Sequence, residues 1–335
     1  MADLNLEEIR DTLVSVAYEA GRMILSANPT DIATDTKLNC ESHISPNLSK
    51  AYLKTQQYAN SLSVAAVDIV TETDKAVEAL VSGQLQKKYP TFDFMGEETY
   101  KPGQKLTASP TFIVDPIDGT TNFVHGFPSA CISLGLAVDR TPTIGVVYNP
   151  YLDQLYTAIS GRGAFLTHGR AWGIPSEDGG PDKGRVSRLP LSRNPPPLAG
   201  LGAALVAVEW GSSRDGVNYE VKTEVFRKLC ATTETGGAMV HSLRSLGSAA
   251  LNLCAVAAGQ LDAYWEGGCW AWDVCAGWTI LAEAGGVMAG GNPGVWEPQL
   301  DDRKYLAVRG GAAPEQQKEL VRQFWEVMGE RKMEY

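Results

Sequence analysis

The stretch Thr111-Phe-Ile-Val-Asp-Pro-Ile-Asp-Gly-Thr-Thr-Asn-Phe123 runs from an apolar strand into two carboxylates three positions apart, and then into a Gly-Thr-Thr turn. Pro116 fixes its own φ and holds Asp115 in an extended conformation, so the acids sit at a strand end where the chain turns sharply. Gly119 supplies a backbone position without Cβ, which permits the turn and the close approach of an anion. Asp115, Asp118 and the Ile117 carbonyl between them are hard oxygen donors of the kind Mg²⁺ selects. The amides of Gly119, Thr120 and Thr121 can face phosphate oxygens. An Asp-x-x-Asp-Gly turn alone is common on protein surfaces; the long form after an apolar strand is far more specific.

Working outward, Leu6, Ile9, Leu13, Val16, Ala20 and Ile24 keep helical spacing, with Asn5 and Glu8 as a capping box, and predict a helix to about Ala27. Residues 30–63 are polar and read as a mobile segment. A strand over 64–70, a helix over 75–89 and a short strand delivering Glu97 precede the central motif. Strands at 132–138, 143–148 and 154–158, separated by turn residues, suggest an antiparallel meander. Residues 168–200, rich in Gly, Pro and charge, mark a long loop and the seam between two halves, 1–198 and 199–335, of one globular unit. The second half alternates as α/β: a strand at 203–208, helices at 217–230, 242–258 and 273–284, a strand at 261–266 and a terminal helix opened by Pro314.

A net charge of −10 disfavours nucleic acid and anionic membrane surfaces, because both repel the chain at long range. No stretch reaches the about 18 apolar residues that a membrane span needs, and the acidic first helix is no signal sequence, so a cytoplasmic protein is expected. The six cysteines form no Cys-x-x-Cys pair and read as small buried hydrophobes in a reducing compartment.

A two-metal site needs more oxygens than one loop provides, so acids at other element ends become candidates: Asp68, Glu97, Glu266 and Asp273. Asp273 opens an apolar helix whose dipole favours its ionised form. At this point four ordered stretches resemble the inositol monophosphatase family of Mg²⁺-dependent, lithium-sensitive phosphatases: Val67–Asp74, Gly96–Glu98, Asp115–Phe123 and Trp272–Gly286. The resemblance covers nearly the whole chain. It implies an αβαβα sandwich, an α/β layered fold, and a homodimer.

Carried over by position, it assigns one metal to Glu97, Asp115 and the Ile117 carbonyl and a second to Asp115, Asp118 and Asp273, with a third Mg²⁺ left open. It pairs Thr120 with Asp68, beside Glu97, as the groups that orient and deprotonate the attacking water. Gly119 and Thr120 would bind phosphate; Ser212, Ser248, Ala249 and Glu266 would contact the hydroxyls of a small phosphorylated polyol. Trp270 stands where well-known members carry His, and the 37–63 and 168–200 stretches are longer than usual.

The expectation is therefore a Mg²⁺-dependent phosphomonoesterase that hydrolyses inositol monophosphate or a similar polyol phosphate by in-line attack of metal-activated water. The alternatives are a sugar- or nucleotide-bisphosphate phosphatase of the same chemistry and a catalytically silent metal-binding regulator of quinate metabolism.

Overall fold

A computed structural model describes residues 4–27, 34–36, 69–169 and 184–335 of the protein. The first helix, α1 (Leu6–Ser26), is capped by Asn5, whose side chain accepts the Glu8 amide, and buries the stripe Ile9, Leu13, Val16, Ala20 and Ile24. Strand β1 (Thr34–Thr36) pairs antiparallel with β2 (Ile69–Thr71), which feeds α2 (Glu72–Lys88). Then follow β3 (Asp93–Gly96), β4 (Thr111–Asp118), the short α3 (Thr120–Val124), β5 (Cys131–Val138), β6 (Thr141–Asn149), β7 (Gln154–Ile159), β8 (Ala164–His168) and β9 (Arg185–Arg188). The second half contains β10 (Leu205–Val208), α4 (Gly216–Cys230), β11 (Ser242–Arg244), α5 (Ala249–Ala258), β12 (Ala263–Gly267), α6 (Ala271–Glu283), β13 (Val287–Gly290), β14 (Lys304–Val308) and α7 (Pro314–Met328).

Two sheets result. Seven strands run in the order β3-β4-β5-β6-β7-β8-β9, parallel between β3 and β4 and antiparallel thereafter, which is the meander expected from the turn spacing. Five strands run in the order β11-β10-β12-β14-β13, with β10 parallel to both neighbours.

Alternation of side chains along each strand builds the layers. On β4, Phe112 and Val114 face α1 and α2, whereas Ile113 faces the opposite way, toward α5 and α6. On β12, Tyr264 points to the same middle layer, while Trp265 packs outward with Val221 and Val225 of α4 and Phe324 of α7. The sequence of layers is helices, seven strands, helices, five strands, helices. This is the αβαβα sandwich.

Several boundaries differ from the sequence reading. The helix expected over 242–258 is a strand, β11, followed by a helix that starts only after Ser248. Gly247 takes φ +76° there, and the Ser248 hydroxyl accepts the Leu251 amide as an N-cap. Helix α2 begins at Glu72 rather than Lys75, because Thr71 and Asp74 form a reciprocal capping box. Thr34–Thr36 is strand where a polar loop was expected. Cys230, expected buried, is exposed at the last position of α4, while Cys131, Cys254, Cys269 and Cys275 are buried. The readings of 37–63 and of Cys40 lie outside the described residues.

Helix α6 sits directly on the backbone of β5 and β6. A Cβ added at Gly145 would lie 2.2 Å from the Ala276 carbonyl oxygen, and one at Gly135 would lie 2.5 Å from Cys275 Sγ. Since α6 opens two residues before Asp273, this contact sets the depth of that carboxylate. Gly145→Ala is expected to destabilise the fold by about 2 kcal/mol through overpacking, read as a lower urea midpoint at constant m.

Candidate active site

At the C-terminal end of β4, Asp115 and Asp118 turn toward the middle of the molecule, and α6 brings Asp273 to meet them. One oxygen of each of the three carboxylates lies within 4.8 Å of the others. Each is held by a different device. Asp115 Oδ1 accepts the Ile117 amide at 3.0 Å. Asp273, in the first turn of α6, accepts the Trp270 amide at 2.6 Å. Asp118 is held from the other half of the chain: the Ser248 hydroxyl donates to Oδ2 at 2.5 Å, the Ala250 amide at 2.7 Å, and the Ala249 amide reaches Oδ1 at 3.3 Å. The start of α5 thus supplies donors to an acid on β4, where a helix dipole favours negative charge.

Burial and mutual repulsion determine the proton affinity of the group. Burial, followed by the charges of Glu97, Asp118 and Asp273, pushes Asp115 well above the ordinary carboxyl range. Burial raises Asp118 to about 6, with the donors Ser248, Ala250 and Ala249 working against the rise. Asp273 is also raised well above its ordinary value, chiefly by burial and then by Glu97 and Asp118. Carboxylates this close, two of them buried, all oxygen donors and facing Glu97 as well, suit a hard divalent cation.

Glu97 follows β3, and its amide donates to the Val114 carbonyl at 3.1 Å. The carboxylate of Glu78 on α2 lies beneath this turn. Its Oε2 accepts the Glu98 amide at 2.7 Å, and a Cβ at position 96 would come within 2.5 Å of its Cδ, so the Gly-Glu-Glu stretch needs its glycine.

Gly119 takes φ +91°, and a Cβ there would meet the Ser129 carbonyl at 2.8 Å and the Gly247 carbonyl at 3.0 Å. Asn122 in the same turn donates to the Ser129 and Leu246 carbonyls, both at 2.7 Å. Glu209 Oε1 accepts the Leu246 amide at 2.6 Å, the Gly247 amide at 2.9 Å and Asn252 Nδ2 at 2.8 Å. The turn of one half is therefore stitched to the loop before α5 of the other.

The Thr120 hydroxyl lies 3.3 Å from Asp74 Oδ1 and 3.1 Å from the Ile117 carbonyl. Asp68, expected from the sequence as its partner, lies outside the described residues; the acid seen beside Thr120 is Asp74. The reason is the capping box: Asp74 is the third residue of α2 and is oriented by the Thr71 amide and hydroxyl toward the start of α3. The Thr-x-x-Asp spacing was present in the sequence and could have identified it.

Near the end of β12, Glu266 is half-buried and accepts a hydrogen bond from the Tyr264 hydroxyl. Burial and then the charge of Glu209 raise it to about 7, with Lys222 opposing. Ser212 is exposed on the bend after β10. Ser248 and Ala249 direct their donors to Asp118. Trp270 stacks on Trp272 at 5.2 Å, and the Arg303 guanidinium lies 3.7 Å from the Trp270 ring centroid. Asp74, Glu78, Glu209 and Lys222, which the sequence reading did not single out, bond to Thr120 or to the main chain beside the candidate residues.

The sequence pattern of the inositol monophosphatase family matches residues 5–329, and the chain belongs to that family, whose members are phosphatases. Inositol monophosphatase 2 of Saccharomyces cerevisiae is 48% identical over 288 residues, 85% of this chain and 90% of that protein. Quinic acid degradation cluster protein x of Neurospora crassa is 38% identical over 349 residues, covering 96% of this chain and 93% of its own length. Among solved structures, an inositol monophosphatase from Anabaena superposes with a TM-score of 0.62 at 24% identity, covering 96% of this chain and 97% of its own, and shows the shared fold. Among the described residues, no helix is long and apolar enough to cross a membrane.

The raised carboxyls carry a pH dependence with a definite sign. Each binds its proton more tightly folded than unfolded, so stability in the metal-free protein falls as pH rises from the unfolded values near 4 toward the folded values of about 6 for Asp118 and about 7 for Glu266. In EDTA, the thermal midpoint is expected to be lower at pH 8 than at pH 5.5 by about 5 °C, and millimolar Mg²⁺ should raise it most at pH 8. Calorimetry at the two pH values, with and without Mg²⁺, checks this.

Proposed function

We propose that the protein is a Mg²⁺-dependent phosphomonoesterase acting on a small polyol phosphate, with inositol monophosphate as the leading substrate. The observation that carries this reading is the meeting of Asp115, Asp118 and Asp273 beside the Gly119 turn. Their oxygens, with Glu97 and the Ile117 carbonyl, would hold divalent cations, which supply positive charge for the phosphoryl oxygens and the leaving oxygen and make a nearby water more acidic.

The chain's own groups then have distinct tasks. The amides of Gly119 and Thr120 face phosphoryl oxygens and orient the ester for in-line displacement. A water donating to Thr120 Oγ1 can pass its proton to that hydroxyl as the hydroxyl gives its own to Asp74 Oδ1, 3.3 Å away. Glu97, hung between two backbone positions that close on Glu78, presents a second carboxylate on the same side. Breaking of the ester P–O bond releases the polyol alkoxide, which takes a proton from solvent, and inorganic phosphate.

Specificity rests on Glu266 and Ser212. A partly desolvated carboxylate that accepts from two adjacent hydroxyls favours a polyol, since a ligand without them leaves the carboxylate unpaired. The yeast relative bears the name inositol monophosphatase, which agrees with this choice. A homodimer, lithium inhibition and a cytoplasmic location belong to the same proposal.

Phosphate release from inositol, sugar and nucleotide phosphates with Mg²⁺, with and without lithium, tests it. The expected result is lithium-sensitive release, strongest on inositol monophosphate. Asp118→Asn should lower turnover by about 10²–10³-fold with an unchanged circular dichroism spectrum. Asp74→Asn should lower kcat by about 10²-fold while Mg²⁺ affinity, measured by calorimetry, stays within about twofold. Tight binding of a polyol or quinate by Mg²⁺-loaded protein that releases no phosphate from any ester would overturn the enzymatic reading in favour of a regulatory one.

A further inference from the structure

Lys222 is buried on α4 at 3% exposure, yet among the described residues no carboxylate lies within ion-pair distance of its ammonium group. Its Nζ donates instead to two main-chain carbonyls, Gly267 at 2.7 Å and Trp210 at 3.1 Å. A buried ammonium is costly unless its donors are satisfied, so these bonds hold their acceptors firmly.

The two carbonyls lie on the two substrate segments. Gly267 directly follows Glu266, and Trp210 stands two residues before Ser212. Parallel pairing of β10 with β12 ends at Val208 and Trp265, and beyond that register no ladder bond ties the two strand ends together. Lys222 bridges the gap at the C-terminal ends of the strands, the side of a parallel pair on which ligands bind.

The surroundings keep the bridge in place. Gly211 takes φ +61°, and a Cβ there would lie 2.5 Å from Nζ, so the chain before Ser212 curls around the ammonium. The Tyr335 ring lies 5.4 Å from Nζ and packs against Gly267 and Gly268 from beneath. Tyr335 is positioned through Glu334, whose amide and carbonyl pair with the side chain of Asn218 at 2.7 and 2.8 Å. Asn218 lies one helical turn before Lys222 on the same face of α4.

We infer that Lys222 is a specificity-determining positioning residue: it fixes the separation of Ser212 and Glu266, and hence the spacing of substrate hydroxyls that the pocket accepts. The inference rests on the polyol-phosphatase reading above. It gives Lys222 no contact with the scissile phosphate, so its effect should fall on polyol recognition.

The test compares steady-state kinetics on inositol 1-phosphate and on p-nitrophenyl phosphate, an ester without ring hydroxyls, for wild type, Lys222→Met, Lys222→Arg and Gly211→Ala. The ratio of kcat/KM for inositol 1-phosphate to that for p-nitrophenyl phosphate is expected to fall about tenfold or more in Lys222→Met, through KM for the polyol. Lys222→Arg, which keeps donors, should recover part of that ratio. Gly211→Ala, which crowds the ammonium from the other side, should reproduce the loss. An unchanged ratio in Lys222→Met and Gly211→Ala, or equal losses on both esters, would overturn the inference alone. Wild type with no preference for inositol 1-phosphate over p-nitrophenyl phosphate would overturn the polyol reading and this inference with it.

Discussion

Mutual repulsion among three closely gathered carboxylates is the constraint around which the rest of this molecule is arranged. Asp115 and Asp118, both buried, and the half-buried Asp273 gather their oxygens within 4.8 Å, which no isolated segment would do. The fold opposes the repulsion with fixed dipoles. The start of α5 serves Asp118, the amide of Trp270 serves Asp273, and the Ile117 amide serves Asp115. Two of those three supports come from the second half of the chain, although Asp115 and Asp118 belong to the first. The site exists only when both halves are docked.

That docking is itself polar at its centre and apolar around it. Helices α5 and α6 fill the space between the sheets with Leu253, Val274, Ile280 and Leu281, and α6 presses so close that glycines are needed beneath it. At the edge of this layer Asn122 and Glu209 bind the loop before α5 from opposite sides. Two kinds of forces therefore divide the work: apolar burial brings the layers together, and directional bonds decide the register at which the acids meet.

Much of this was legible in the sequence, and the misses have physical reasons. The apolar stripe of α1 and the strand-turn pattern of the meander follow from local periodicity and turn chemistry, and they landed where expected. Residues 242–258 look continuously helical because their small apolar residues suit a helix. The break at Gly247 depends on a left-handed backbone position stabilised by Asn122 and Glu209, more than 35 residues away in sequence in both cases. Asp74 was legible as the Thr71-x-x-Asp74 capping box, but the sequence does not show that the box turns its carboxylate toward Thr120. Glu78, Glu209 and Lys222 carry no motif; each acts on the backbone of a segment remote in the chain. Such long-range side chain to main chain bonds are the part of a site that one sequence conveals until the strands are placed.

The stack beside Asp273 has an optical consequence. Trp272 stacks on Trp270, Tyr100 packs at a tilt against both, the Arg303 guanidinium lies over Trp270, and the residue carrying that indole also donates its amide to Asp273. Indole emission responds to the local electric field, and here the field source is the carboxylate cluster itself. A cation settling among those acids would change the field across two stacked indoles at once, and the protein's own fluorescence would then register it without dye or label.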